Sequence, residues 1–157
     1  MLQRIQTVYL GLVVILGFVF SFIPVLGFSY EGNQYFMNAY HTVLVEENGV
    51  KDIFRNMGVG TLSGLVVLNS LIVIFLYKKR QLQIKLCKLN ILLLALEVAG
   101  IALYADAAKE LIAIEGEVET KMTFGIFIPV ISLILTYLAT RAIRKDEELV
   151  RAADRLR

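Results

Sequence analysis

One carboxylate stands apart by its surroundings. Glu97 interrupts the apolar run Leu86–Ala105 near its middle, and no other formal charge lies so deep in an apolar stretch of this sequence. An ionised carboxylate at that depth in hydrocarbon costs at least ~2.5–3.5 kcal/mol. The side chain is therefore expected to face neighbouring helices and to be partnered or protonated there. Counted from the same boundary, Asn69 lies eight residues above Tyr77, Glu97 nine above Lys88 and Ser132 eight above Thr140. At 1.5 Å per residue all three sit about 12–14 Å above one face, which predicts a buried polar cluster of Glu97, Asn69 and Ser132. Two uses compete. A protonated carboxyl that hydrogen-bonds across helices fixes their register by about 1 kcal/mol. Alternatively, the carboxyl takes up a proton or cation during transport. No acidic or basic relay partner accompanies it, which favours the first. Asn90, two turns away from Glu97, reads as a boundary or interhelical hydrogen-bonding residue.

The remaining reactive residue types exclude more than they suggest. With one cysteine, Cys87, no disulfide forms within the chain. With one histidine, His41, the chain supplies neither a bis-histidine haem nor a His-rich zinc site. His41 also has no nucleophile motif near it. Residues 29–56 and 106–121 are acidic, but neither has the D-x-D-x-D-G spacing of a calcium loop; they read as a solvated rim. No catalytic, cofactor-binding or metal-binding residue is assigned, and no enzyme is expected. A net charge of +2 gives no reason to expect nucleic-acid binding.

These residues must be positioned by apolar elements. The sequence is 57% hydrophobic and 19% charged, against about 25% charged in soluble chains. Four apolar runs, Val8–Phe28, Met57–Tyr77, Leu86–Ala105 and Met122–Thr140, each approach the ~20 residues needed to cross ~30 Å of hydrocarbon. The first is too long for a signal-peptide core and reads as a retained anchor. The fold expected is all-α: an integral-membrane, antiparallel four-helix bundle forming one domain over residues 1–157, with 141–157 as a cytoplasmic helical extension. Gly60 and Gly64, four apart, predict a close helix–helix contact. Pro24 and Pro129 are expected to kink their helices. Within the first long loop, Tyr35–Val45 is rich in β-formers, and Glu46–Gly49 is turn-like, which suggests a short hairpin.

Charge distribution orients the bundle. Twelve Lys and Arg residues fall on the side of the termini and the second loop, and four on the opposite side. The positive-inside rule then places both termini in the cytoplasm. Lys78, Lys79, Arg80, Lys85 and Lys88 sit at headgroup level, where each attracts anionic lipid by up to ~1 kcal/mol. Arg144, Arg151 and Arg155 extend the basic set along the tail, beside a narrow stripe of Leu149, Ala153 and Leu156. Such a helix lies on the membrane surface or docks a partner.

Three stretches also carry a resemblance. They are the opening Met1-Leu2-Gln3-Arg4-Ile5-Gln6-Thr7-Val8-Tyr9-Leu10, the segment Gln81–Asn90 and the ending Arg141–Arg157. The chain resembles, end to end, a bacterial family of small four-span inner-membrane proteins of unknown function. The resemblance implies a Gram-negative inner membrane, four spans and cytoplasmic termini; it transfers no catalytic residue. The leading expectation is a scaffold or accessory subunit that docks to a membrane-protein partner. The alternative is a small proton- or cation-coupled transporter or channel that uses Glu97.

Overall fold

A computed structural model of the chain describes residues 5–46, 49–77, 79–112 and 118–155. Four helices account for most of it: α1 (Ile5–Phe20), α2 (Met57–Phe75), α3 (Arg80–Ile112) and α4 (Phe127–Arg155). They pack in a ring, α1 against α2 and α4, and α3 against α2 and α4. Five strands stand at one end of this ring: β1 (Leu26–Tyr30), β2 (Asn33–Met37), β3 (His41–Glu46), β4 (Gly49–Arg55) and β5 (Glu119–Met122). They form one antiparallel sheet in the order β4-β3-β2-β1-β5.

The all-α expectation is therefore corrected: the fold is mixed α/β. The reason lies in the first apolar run. α1 ends at Phe20, where Ser21 and Phe22 donate backbone bonds to Phe18 and Val19, a tightened i→i−3 pattern. Pro24 then holds Ile23 away from helical geometry. The chain turns and enters β1 at Leu26, so Val8–Phe28 is a helix followed by a strand. The strand's first residues, Leu26 and Phe28, are buried beneath the sheet. Hydropathy alone does not separate a buried strand from the end of a spanning helix. β1 and β2 join through Glu31–Gly32, both at positive φ (49° and 82°), the geometry of a two-residue hairpin turn that matches strand twist. The hairpin expected over Tyr35–Val45 is part of β2–β3, and Glu46 pairs with Gly49 at the end of β3–β4.

Neither proline kinks a helix. Pro24 lies between α1 and β1, and Pro129 is the third residue of α4. Its missing N–H belongs to the first turn, where no intrahelical acceptor exists in any case.

Among the described residues, α2, α3 and α4 are long and apolar enough to cross a membrane, while α1 has 16 residues, about 24 Å at the α-helical rise. The 33 residues of α3 reach about 50 Å. Its C-terminal end, with buried Ala105 and Ala108, lies under the sheet in a core with Phe20, Phe28, Tyr35 and Met37. Asn56 ties sheet to helix. Fully buried, it precedes α2, and its Nδ2 donates to Asn38 O at 2.5 Å while its N–H donates to Tyr40 O at 3.0 Å. In the first turn of α2, Gly60 N–H donates to Ala39 O at 2.8 Å, which satisfies one of the donors a helix start leaves open.

Candidate functional site

The side chains that could do chemistry sit inside the ring of helices, and their spacing explains how they get there. Buried positions on α3 run Gln83, Cys87, Asn90, Leu94, Glu97, Ile101, alternating steps of four and three. That is the seam of a helix packed on others. Every seventh residue of the seam is polar and every intervening one apolar or nearly so. α2 answers with Val59, Ser63, Val66, Ser70 and Val73 on the same spacing, plus Asn69. Polar and apolar layers therefore alternate through the interior, about 10 Å from one polar layer to the next.

The layer nearest the α2–α3 turn is Gln83, whose Nε2 donates to Val73 O at 2.8 Å. The next centres on Asn90. Asn69 Nδ2 donates to Asn90 Oδ1 at 3.0 Å and to Leu86 O at 2.9 Å, and Asn90 Nδ2 donates to Ser70 Oγ at 2.8 Å. Between this layer and the third lie Val13, Val66 and Leu94, all buried. The third layer holds Glu97, only 2% exposed, with Ser63 as its side-chain hydrogen-bonding partner. Glu97, Ser63 and Ser132 line a small cavity of about 10 Å³. Its other walls are apolar: Gly17 and Phe20 of α1, Val66 of α2, Leu94 of α3, Ile128 and Pro129 of α4.

The structure thus brings Glu97 and Ser132 together and places Asn69 one polar layer away. The depth count assumed that Tyr77 and Lys88 mark the same height. They do not, because α3 already begins at Arg80, so eight residues that read as loop and boundary are helix. Ser63, not Asn69, stands opposite Glu97. The seven-residue spacing of Gln83, Asn90 and Glu97 on α3, and of Ser63 and Ser70 on α2, is the sequence signal that locates the layers.

The other expected site residues are distributed as follows. Gly60 serves a helix–sheet contact: a Cβ there would overlap the Tyr40 ring. Gly64 faces open space and lines a groove of about 570 Å³ with Gly17, Phe18 and Leu68. Close helix–helix approach instead uses Gly17 of α1, where a Cβ would meet Val67 of α2 at 2.5 Å, and Gly58 of α2, where one would meet Tyr104 of α3 at 2.6 Å. Lys79, Lys85, Lys88 and Arg144 are exposed. Arg80 is half-buried, and its Nη1 donates to Asp146 O at 3.4 Å. Beside it, Gln81 Nε2 donates to Glu147 Oε1. Lys78 lies outside the described residues; Arg151 and Arg155 belong to α4, but their side chains are outside the described set. Cys87 is fully buried among Leu10, Val73, Ala139 and Ile143. His41 Nδ1 lies 3.8 Å from Asp52 on the sheet. No group of three His, Cys, Asp or Glu that could hold a metal ion occurs among the described residues.

Fold and site define a mixed α/β protein whose apolar helices enclose layered polar side chains beneath an antiparallel sheet. The chain belongs to the family described as a domain of unknown function, DUF4293, which matches residues 2–156. No curated protein matches the sequence significantly.

Proposed function

We propose that this protein is a non-enzymatic integral protein of the bacterial inner membrane, with both termini cytoplasmic, that serves as a scaffold or accessory subunit of a larger membrane complex. An inverted distribution of polarity supports the membrane placement. Large apolar side chains such as Leu12, Phe18, Leu68, Leu92, Leu103 and Ile134 are exposed on the outside of the helices, while Asn69, Ser70, Asn90, Glu97 and Thr136 are buried inside. A water-soluble bundle has the opposite arrangement; helices in lipid use interior polar groups to adhere. On this reading all four helices cross the bilayer, the sheet lies on the outer side, and Lys79, Lys85 and Lys88 meet anionic headgroups.

The observation that carries the docking role is the reach of α4. Among the residues whose side chains are described, its last fully buried core residue is Ile143, yet the helix continues to Arg155. Beyond the contacts of Asp146 and Glu147 with α3, Leu149 and Val150 are exposed. A helix of mixed charge with apolar residues left over is suited to lie against another helix. Purification in mild detergent with quantitative mass spectrometry tests this. The expected result is a stoichiometric membrane protein that co-purifies with the native chain and is lost when Leu149 and Val150 are both changed to Glu. A native chain that purifies alone overturns the docking role.

A second reading, a proton- or cation-coupled transporter, draws on the burial of Glu97 beside a cavity. Liposome flux that disappears in Glu97→Gln, with assembly retained, would promote it over the first.

A further inference from the structure

Three facts about α4 and its neighbours point to one missing partner. First, Thr136 and Thr140 each donate their hydroxyl back to the carbonyl four residues earlier, Ser132 O and Thr136 O, both at 2.8 Å. This is the usual way for a hydroxyl in an apolar setting to satisfy itself. Ser132, one turn further along the same face, has no such bond back to its own helix among the described residues, and it is 3% exposed. Second, that side chain lines the cavity shared with Glu97 and Ser63. Third, the cavity is about 10 Å³, at the lower limit of what one water needs, about one probe sphere.

We propose that this cavity is a binding site for a single water molecule held by Glu97, Ser63 and Ser132. The partner count fits. A buried water makes about three hydrogen bonds, and three polar side chains converge here from three different helices, α2, α3 and α4. The hydroxyls both donate and accept, and the carboxyl accepts in either protonation state, so water's two donors and two acceptors find matches. A cation is less well served. One carboxyl and two hydroxyls are a sparse oxygen shell, and every other wall is apolar. Among the described residues lining the cavity, no other titratable or charged group faces Glu97 from α1, α2 or α4. The water turns an acid–serine pair on α2 and α3 into a joint that includes α4. It stands independently of the docking role proposed above.

Infrared difference spectra of the full chain in lipid nanodiscs, recorded in H2(16)O and H2(18)O, test the site. The expected result is an isotope-sensitive O–H band of an isolated water that is lost in Ser132→Val, which fills the cavity. The carboxyl C=O band of Glu97, assigned by its absence in Glu97→Gln, should shift in the same variant. Should Ser132→Val not fold, Ser132→Ala removes one partner without adding bulk and should move the water band to weaker hydrogen bonding. A water band unchanged in both Ser132 variants overturns the proposal, as does its absence from the native protein. Thermal unfolding in sodium chloride against choline chloride separates the other occupant: a sodium-specific rise in Tm that Glu97→Gln abolishes would mean a cation in place of the water, and would equally overturn it.

Discussion

The two ends of this interior are built on opposite rules. Beneath the sheet the core is Phe20, Val25, Leu26, Phe28, Tyr35, Met37, Ala39 and Ile101, apolar and in part aromatic. Further down the helices the same interior is interleaved with Gln83, Asn90, Asn69, Ser70, Glu97, Ser63 and Ser132. On the membrane reading the difference follows from the solvent on the other side of the wall. Where water bathes the outside, burying hydrocarbon drives packing at about 25 cal/mol per Å². Where lipid bathes the outside, hydrocarbon gains little by turning inward, and small residues and interhelical hydrogen bonds do the adhering. One chain uses both solutions, and the Asn56 staple with Gly60 marks the junction between them.

That contrast can be broken by substitution. The largest effect is expected at Phe28→Ala, which empties the core under the sheet and should destabilise by about 3–5 kcal/mol. Reversible unfolding in detergent, followed by circular dichroism, measures it. A cost below that of any polar-layer variant would show that the sheet end is not held by hydrocarbon burial. Next comes the junction. Gly60→Ala drives a methyl into the Tyr40 ring, and about 1–3 kcal/mol is expected, whereas Gly64→Ala, facing open space, should stay within about 0.5 kcal/mol. Equal effects would restore the pair to a shared helix interface. Smaller again, Asn90→Leu removes the hub that joins Asn69 and Ser70. Interhelical bonds of this type average about 0.6 kcal/mol with a maximum near 1.7, so about 1 kcal/mol is the expected loss. A loss several times larger would mean that the polar layers outweigh the apolar core. The smallest effect is expected at Ser70→Ala, a few tenths of a kcal/mol on the same scale, since Asn90 keeps its bond from Asn69.

The legible part of the molecule follows the same division. Helices α2, α3 and α4 are visible as uninterrupted or nearly uninterrupted apolar runs, and the burial of Glu97 follows from its isolation. The sheet is nearly invisible for two reasons. β1 is hidden inside the apolar run that begins in α1, because Leu26, Gly27 and Phe28 are as hydrophobic as the helix before them. β5 is four residues, all exposed, and nothing in Glu119–Met122 indicates that it pairs with β1; that pairing is set by where α3 ends and α4 starts. The polar cluster was legible in kind but not in register. Lysines flank the apolar runs, but the turn over 76–79 sets which residues face one another, and α3 begins well before the last lysine. The water-sized space beside Glu97 depends on how α2, α3 and α4 bring Ser63, Glu97 and Ser132 together, which composition does not record.

The pairing of β5 with β1 has a consequence for how the protein is made. Leu26 lies opposite Met122, so a strand synthesised just after the first helix waits for one that follows the third. Strands β1 to β4 are contiguous in sequence and can zip as hairpins as soon as they are made. The sheet's last edge closes only once α3 has formed and the chain has returned to begin α4. Closure of that edge is thus a late event in folding, slow in the manner of long-range strand pairing, and it requires the third helix to have brought the chain back to the end where β1 waits.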